Sequence, residues 1–282
     1  MKRAFLILLA LPCLAVLGLL ANWQLHTPSH DRVWRADFSR LPEVTEQGDR
    51  YAIANVRNWD YARDGSVNAE EWITAEIDPS KLVQAWFMVE PFDVNPAIAH
   101  TMMAFTFEDG GGYVASVEAR REEGEVYDAP KAAILPVFEY MVVWATERDM
   151  YFNSAFWAGD QLYRYPLTIP LDQQKAVLRG IIAKTAEVQA EPQWYNTLFA
   201  NCTNVLARVV NDLRPGSVPV DKAWVLTGYS DDFLYDEKMI PTNASFAEVE
   251  KRAHVTPDIV ALGDVQGALA FSRALKARLA AE

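Results

Sequence analysis

The feature that most constrains the fold is a pair of β-rich runs joined by a glycine-rich turn. Residues 100–107 read HTMMAFTF, residues 108–112 read EDGGG, and residues 113–120 read YVASVEAR. Glycine adopts the positive φ angles that tight turns need, so a glycine run between two β-rich segments predicts a β-hairpin. Since no helix opens after the glycines, the run is interpreted as a turn and not as a nucleotide-binding loop.

Alternation along the two predicted strands sorts their side chains onto two faces. One face is apolar and is expected to be core, and it carries Met103, Phe105, Phe107, Tyr113, Ala115, Val117 and Ala119. The other face carries His100, Ser116, Glu118 and Arg120, and a turn centred on Gly110 places His100 opposite Arg120. A histidine beside a carboxylate on one strand face is a ready general base with an orienting partner.

The rest of the chain combines β-rich runs with segments of helical periodicity and predicts an α+β fold. Further strands are expected at residues 51–60, 81–89, 137–146 and 161–169. Helices are expected at residues 171–189, 201–213, 245–253 and 265–279. Residues 217–243 are rich in turns, Asp and Tyr, and are interpreted as a lobe or lid.

A single cysteine stands out within residues 192–205, PQWYNTLFANCTNV. Apolar residues recur at helical spacing after Cys202, and Asn201 is a good N-cap residue, so the cysteine is expected in the first turn of a helix. Free backbone N–H groups and the helix dipole at that end favour a thiolate. The alternative interpretation is that Cys202 is a small, buried, apolar residue without chemistry.

The N-terminus predicts a membrane anchor. Lys2 and Arg3 precede an uncharged apolar run at residues 4–21, a length at the lower end for a membrane-spanning helix. The positive flank keeps the N-terminus in the cytoplasm and directs export of the chain beyond the apolar run. The expected organisation is an anchor or signal segment at residues 1–23 and an extracytoplasmic domain at residues 24–282.

Export bears on the interpretation of the thiol. A signal peptide cleaved near Ala21 is the competing interpretation of the N-terminus, and under either one the remaining chain is extracytoplasmic. The other cysteine, Cys13, lies inside the apolar run, so Cys202 has no intramolecular disulfide partner in the exported part. An unpaired cysteine is a liability in an oxidising compartment, which favours its being kept for chemistry.

The net charge of −12 argues against function classes that need a basic surface. Nucleic acid requires cationic side chains opposite its phosphates, and anionic lipid attracts basic surfaces. His26 and His30 lie within residues 22–40, which are interpreted as a solvated polar stalk. They have no neighbouring Cys or carboxylate cluster to complete a metal site of three or four ligands. We therefore predict no metal, no cofactor and no nucleic-acid partner.

The exported part thus offers one Cys at a helix start and one His on a hairpin. This pair, with a polar orienting residue, is the minimum for nucleophilic catalysis by a thiol. A serine hydrolase is disfavoured because the G-x-S-x-G motif is absent. His254 is expected at the end of a short helix as a surface or capping residue.

Five short strings occur in order along most of residues 30–280. They are NVRNW (55–59), HTMMAFTF (100–107), SVEARRE (116–122), ERDM (147–150) and PQWYNTLFANCTN (192–204). Together they resemble the Lnb N-terminal periplasmic domain family, and the last string is the most specific. The resemblance implies a papain-like fold of the NlpC kind in permuted order, with an antiparallel sheet packed on the helix that carries the Cys.

The resemblance also implies a chemistry, the transfer of a fatty acyl chain through a thioester to a lipoprotein amine. Carried over to this sequence, Cys202 is the nucleophile, His100 is the base, and Glu118 is the third residue. Ser116 and Arg120 are the next candidates for that third role.

An oxyanion in such a reaction is expected to meet backbone N–H groups at the start of the Cys202 helix. Asn201, which caps this helix, is a supporting candidate. Tyr195 or Asn196 is expected to add a side-chain donor.

The expected protein is a thiol-dependent acyltransferase or hydrolase in the periplasm, held at the bacterial inner membrane by a single span. Its expected partners are a lipid, lipoprotein or peptide substrate at the membrane surface. The alternatives are a papain-like cell-wall peptidase or amidase, and a non-catalytic envelope binding module. The family's namesake enzymes are multi-spanning, whereas this chain has one apolar segment, so the fold and the Cys–His pair transfer more directly than the substrate.

Overall fold

The computed structural model describes residues 17–19, 21–92 and 95–281. The predicted anchor at residues 1–23, including Cys13, lies largely outside these ranges. Within them, no helix has both the length and the apolar character needed to cross a membrane.

The described chain is a mixed α+β fold. The strands are β1 (Glu43–Gln47), β2 (Arg50–Arg57), β3 (Asp60–Tyr61), β4 (Val67–Ala69), β5 (Trp72–Ile77), β6 (Leu82–Pro91), β7 (Ala99–Phe107), β8 (Gly112–Arg120), β9 (Glu139–Thr146), β10 (Tyr163–Pro166) and β11 (Gln193–Trp194). The helices are α1 (Ala129–Ile134), α2 (Glu147–Phe152), α3 (Leu171–Ala190), α4 (Cys202–Leu213), α5 (Ser230–Asp236), α6 (Phe246–Ala253), α7 (Thr256–Ala261) and α8 (Ala268–Leu279). The predicted hairpin and all four predicted helices are confirmed to within a few residues.

One large, mostly antiparallel sheet organises these elements. Its strand order is β1-β2-β9-β8-β7-β6-β10, with β5 paired to β2 and β11 paired to β9. The contact between β2 and β9 is parallel, whereas the other pairs in the sheet are antiparallel. The strands β3 and β4 form a separate two-stranded sheet. The hairpin β7–β8 therefore lies in the middle of the large sheet, where both of its edges are paired.

The predicted register of the hairpin was wrong by two residues. Met102 lies opposite Ser116, and Thr106 lies opposite Gly112. The turn is shorter than predicted because the N–H of Phe107 bonds the carbonyl of Gly111 at 2.9 Å, and Gly110 adopts a φ of 85°. A shift of two keeps every side chain on its predicted face, since the period of a strand is two.

Helices cover both faces of the sheet. Phe105 and Trp144 lie in one core, under α3 and α4, whereas Met102 and Phe271 lie in a second core with α2, α7 and α8. The second face of the hairpin, which carries His100, is therefore mostly buried as well. The eight residues of β9 are all buried, as expected of a strand covered on both sides.

The predicted solvated stalk is wrong for part of residues 22–40, although about half of these residues are exposed. The ring of His30 is half-buried, and its Nε2 lies 2.8 Å from the carbonyl of Val188 in α3. Phe38 is buried, and Trp34 lies under the guanidinium of Arg120 with 4.0 Å between the Arg carbon and the ring centre. His26 is exposed and bonds only its own turn.

The segment predicted as a lobe or lid, residues 217–243, contains two 3-10 turns and α5. Thr227 fixes it to the start of β7, since its hydroxyl accepts the N–H of Ala99 at 2.8 Å and donates to the carbonyl of Ala99 at 2.6 Å. The N–H of Gly228 also bonds the carbonyl of Ala97. This segment therefore lies directly against the strand that carries His100.

Candidate active site

Cys202 is the first residue of α4, as the sequence predicted. The side chain of Asn201 accepts the N–H of Asn204 at 2.8 Å, and the side chain of Asn204 accepts the N–H of Asn201 at 2.9 Å. This capping box fixes the first turn of the helix, so the thiol lies at the positive end of the helix dipole. The residue is only 6% exposed, and its Sγ lies 4.0 Å from the carbonyl of Ala99 in β7.

His100 makes its polar contacts with the two residues expected beside it on the strand face. Its Nε2 lies 2.6 Å from Oγ of Ser116 and 3.0 Å from Oε1 of Glu118. The hydroxyl of Ser116 donates to the same Glu118 oxygen at 2.6 Å. Because the single hydroxyl hydrogen of Ser116 points to Glu118, Nε2 must carry a proton in order to donate to Ser116. In the neutral ring this leaves Nδ1 as the proton acceptor.

The imidazole and the thiol interact directly and shift each other's pKa. Burial tends to lower the pKa of His100, but the charge of Glu118 and the hydrogen bonds from Glu118 and Cys202 raise it well above 6.5. Burial tends to raise the pKa of the Cys202 thiol, but the bond and charge of His100, with bonds from Thr101, lower it below its ordinary value. Both shifts act in the direction of a thiolate–imidazolium pair.

Glu118 completes the chain of contacts behind His100. Burial tends to raise the pKa of its carboxyl, but the charge and hydrogen bond of His100 and the bond from Ser116 lower it to about 2. The group is therefore a carboxylate at any physiological pH and stabilises the imidazolium. Ser116, which is fully buried, holds both partners in position.

A cavity of about 260 Å³ opens onto Cys202, His100 and Glu118. Tyr195 also lines it, as the sequence interpretation suggested for an oxyanion donor. Its hydroxyl lies 2.9 Å from that of Tyr127, which lines the same cavity. The pair thus presents phenolic O–H groups on the wall beside the thiol.

Three other candidates have different partners. The side chain of Asn196 accepts the N–H groups of Leu198 and Phe199 and donates to the carbonyl of Ala133, so it holds a loop. The guanidinium of Arg120 donates to the carbonyls of Phe38 and Ser39 and not to His100. Asn201 lines the cavity, but its side-chain groups bond the backbone around it.

The structure brings four further residues to the site that the sequence did not single out. Thr101 follows His100 in β7 and bonds the thiol. Tyr127, Glu90 and Arg121 line the cavity from other elements. Glu90 pairs with His100 across β6 and β7, a position that a correct strand alignment would have revealed. Tyr127 comes from an irregular connection and carries no such signal.

His254 is the C-cap residue of α6, as predicted. Its ring bonds Oε1 of Gln161 at 2.7 Å and is not among the residues that line the catalytic cavity. Within the described ranges, no three His, Cys, Asp or Glu side chains are grouped to hold a metal ion.

Comparison with known families gives one match. The model of the Lnb N-terminal periplasmic domain family matches residues 68–227, which is more than half of the chain and includes both His100 and Cys202. No curated protein and no solved structure matches the chain.

Proposed function

We propose, from the premise that this chain belongs to the Lnb N-terminal periplasmic domain family, that it is a thiol-dependent acyltransferase or hydrolase. Membership of this family indicates a location in the periplasm. The proposed substrate is a lipid, lipoprotein or other envelope ester or amide, which forms an acyl-enzyme on Cys202. The proposed anchor at residues 1–23 holds the domain at the inner membrane.

The observation that carries the proposal is the continuous contact from Cys202 through His100 to Ser116 and Glu118. A buried thiol beside a histidine that is itself held by a carboxylate is the arrangement used to activate nucleophilic cysteines. An inert, structural cysteine does not need the carboxylate, and burying that carboxylate costs free energy.

In the proposed reaction, Nδ1 of His100 takes the thiol proton and Sγ attacks the carbonyl carbon of the substrate. The oxyanion is stabilised by backbone N–H groups at the start of α4, with a hydroxyl from Tyr195 or Tyr127. His100 returns its proton to the leaving alcohol or amine as the thioester forms. An amine or water then loses a proton to His100, attacks the thioester and releases Cys202.

The chain order supports a permuted papain-like relationship as part of this proposal. His100 lies on a central strand that precedes the helix of Cys202, and that helix packs on an antiparallel sheet. A cell-wall peptidase or amidase remains the second candidate. It is favoured by the polar groups of Glu90 and Arg121 in the cavity beside the thiol, which suit a peptide.

The deciding experiment measures alkylation of Cys202 by iodoacetamide against pH in a Cys13→Ser background, which leaves one thiol. We expect a reactive thiolate well below the free thiol pKa of about 8.5, and its loss in His100→Ala. Intact-mass measurement after incubation with p-nitrophenyl esters then detects the acyl-enzyme. A thiol of ordinary pKa, unchanged in His100→Ala, would rule out the catalytic proposal and leave an envelope binding module.

A further inference from the structure

Arg121 is a half-buried cation in the catalytic cavity, whose lining it shares with Cys202 and His100. Within the described part of the chain, its side chain forms no ion pair with a carboxylate. Its Nε is buried and has no hydrogen-bond partner among the same residues. Removing a charge from water without pairing it costs free energy, so an arginine in this state indicates an anionic ligand.

Two carboxylates near Arg121 are paired with other groups. Burial and the charge of Arg35 lower the pKa of Arg121 below its ordinary value, and the charges of Glu118 and Asp37 act in the opposite direction. Glu118 lies 3.0 Å from His100, and Asp37 lies 2.8 Å from Arg35. An arginine is protonated at any physiological pH. Arg121 therefore brings a positive charge into the cavity of the thiol while both carboxylates bind elsewhere.

The guanidinium of Arg121 is held by its face. Its Cζ lies 5.1 Å from the centre of the ring of Phe38, which is itself buried. The carbonyl of Arg121 accepts the N–H of Arg35 at 3.1 Å, which fixes the backbone just after β8. Stacking uses the plane of the guanidinium and leaves the N–H groups at its edge able to donate. Two parallel N–H donors match the two oxygens of a carboxylate.

The charges in the cavity favour a ligand with a single negative charge. One guanidinium balances one such charge. Glu118, which lines the same cavity, is a carboxylate and repels further anionic charge. A phosphate monoester carries more than one negative charge near neutral pH. A carboxylate therefore fits Arg121 better than a phosphate monoester does.

We propose that Arg121 binds a carboxylate of the substrate within the catalytic cavity. The cavity of about 260 Å³ is also lined by the polar side chains of Tyr127 and Asn153, which suit a short polar molecule. The class of ligand is a carboxylated compound, such as a peptide with a free C-terminus, whose reacting carbonyl enters beside the carboxylate. This inference rests on the proposed function only in taking the bound molecule to be the substrate.

The first test measures protection of Cys202 from iodoacetamide in the full chain carrying Cys13→Ser, at constant ionic strength. N-acetylglycine has a carboxylate, and N-acetylglycinamide is its neutral counterpart. We expect N-acetylglycine to slow alkylation saturably and to bind about tenfold or more tightly than the amide, with the difference lost in Arg121→Gln. Arg40→Gln is the matched control, because Arg40 also stacks on a ring, 5.6 Å from the centre of Trp72, but is exposed and lies outside the cavity.

The second test compares the rates at which iodoacetate and iodoacetamide alkylate Cys202. The reagents differ only in the carboxylate and the amide, so the ratio of their rate constants is independent of the fraction of thiolate. We expect this ratio to fall about tenfold in Arg121→Gln and to stay at the parent value in Arg40→Gln. If Arg121 only supported Glu118 or His100, both rates would change together. An unchanged ratio in Arg121→Gln therefore overturns the inference.

The protection test separates this inference from the proposed function. Equal protection by the two glycine derivatives, or protection by N-acetylglycine that persists in Arg121→Gln, overturns the inference. Protection by dimethyl phosphate alone also overturns it, because the site then selects a phosphodiester. If the thiol has an ordinary pKa, the proposed function fails, and protection measured at about pH 9, where such a thiol is largely ionised, still decides the inference. An increase in the thermal unfolding midpoint with N-acetylglycine, lost in Arg121→Gln, gives the same comparison without the thiol.

Discussion

Glu118 is the residue whose charge most directly supports the proposed base. Glu118→Gln keeps the shape of the side chain but removes the carboxylate that faces His100 at 3.0 Å. Without it the imidazolium is less stable, so the pKa of His100 falls and that of Cys202 rises. We expect the rate of alkylation at neutral pH to fall by about tenfold or more.

The measurement is the full pH profile of Cys202 alkylation in Glu118→Gln. Glu122→Gln is a suitable control, because Glu122 lies just beyond the end of β8 and is bound to Arg32 instead of His100. An unchanged profile in Glu118→Gln would mean that Ser116 alone orients the ring.

Glu90 gives a prediction for stability against pH. Burial raises the pKa of its carboxyl to about 7, although the charge of His100 acts in the opposite direction. In the unfolded chain the group titrates near 4.5, so between the two values the folded state holds the extra proton. The contribution of Glu90 is therefore fully present below pH 4.5 and is lost as the pH rises through 7.

We expect this loss to amount to about 3 kcal/mol and to disappear in Glu90→Gln. Urea unfolding at several pH values measures it. The contribution of Glu118 to stability depends on pH in the opposite direction, because its pKa in the folded state is lowered to about 2. That contribution is lost as the pH falls from 4.5 through 2. The prediction would be contradicted if the free energy of unfolding changed equally with pH between 4.5 and 7 in the parent protein and in Glu90→Gln.

At the scale of residues, the sequence grouped the polar side chains on one face of the hairpin, but it missed Thr101 of the same strand and residues that distant segments contribute. His100, Ser116 and Glu118 could be grouped because alternation along a hairpin is a local rule. Glu90 and Tyr127 reach the cavity through contacts between distant segments, which no local pattern encodes. Asn196 was predicted as a side-chain donor to the oxyanion, yet its amide bonds the backbone of Ala133, Leu198 and Phe199 and holds a loop.

At the scale of elements, the packing of α3 against α4 depends on Gly180. A Cβ added at this position would lie 2.7 Å from Cγ1 of Val209, so a side chain here would have to displace Val209 or move the helices apart. Gly180→Val should lower the free energy of unfolding by about 1–3 kcal/mol through overpacking. Chemical denaturation of this variant is compared with that of Ala183→Val, at an exposed position on the same helix. The comparison separates the effect of the clash from the effect of the low helix propensity of valine. Equal loss in the two variants would show that the contact is unimportant.

The elements that were predicted have strong periodicity of their own. The hairpin has alternation and a glycine turn, and α4 has an apolar stripe with a capping residue at each expected place. The elements that were missed are short, such as β3, β4, α1, α2 and α7. Their formation depends on tertiary partners: the guanidinium of Arg57, for example, bonds Asp149 of α2 at 2.8 Å in a buried ion pair.

At the scale of the whole molecule, the two cores share one sheet and should unfold together. Phe271 of α8 is fully buried against Tyr151 and Phe152, on the face of the sheet opposite α4. Phe271→Ala should lower the free energy of unfolding by about 3–5 kcal/mol. Leu269→Ala, at an exposed position of the same helix, should cost far less.

Urea unfolding measured both by tryptophan fluorescence and by Cys202 alkylation tests this cooperativity. We expect the two probes to give one midpoint in the parent protein and one lower midpoint in Phe271→Ala. In native conditions the pH profile of alkylation should not change, because the substitution is on the other side of the sheet. Separate midpoints for the two probes would show that the cores unfold independently.

The strand order of the sheet could not be predicted from the sequence. The edge strands β1 and β5 flank β2, and β2 meets β9 in a single parallel contact, although the two strands are far apart in the chain. Such pairings depend on the faces that remain uncovered once the other elements have packed. The second apolar core was missed for the same reason, because Met102 and Val114 sit on the face that also carries His100.

The buried hydroxyls of Thr101 and Thr203 join β7 to α4 at 2.9 Å, across a separation of 102 residues in the chain. The contacts that lower the pKa of the Cys202 thiol therefore form only after these distant segments have docked. In the unfolded chain the thiol has no such contacts and titrates as an ordinary cysteine. Under the function proposed above, the chain gains its reactivity by folding and needs no proteolytic activation.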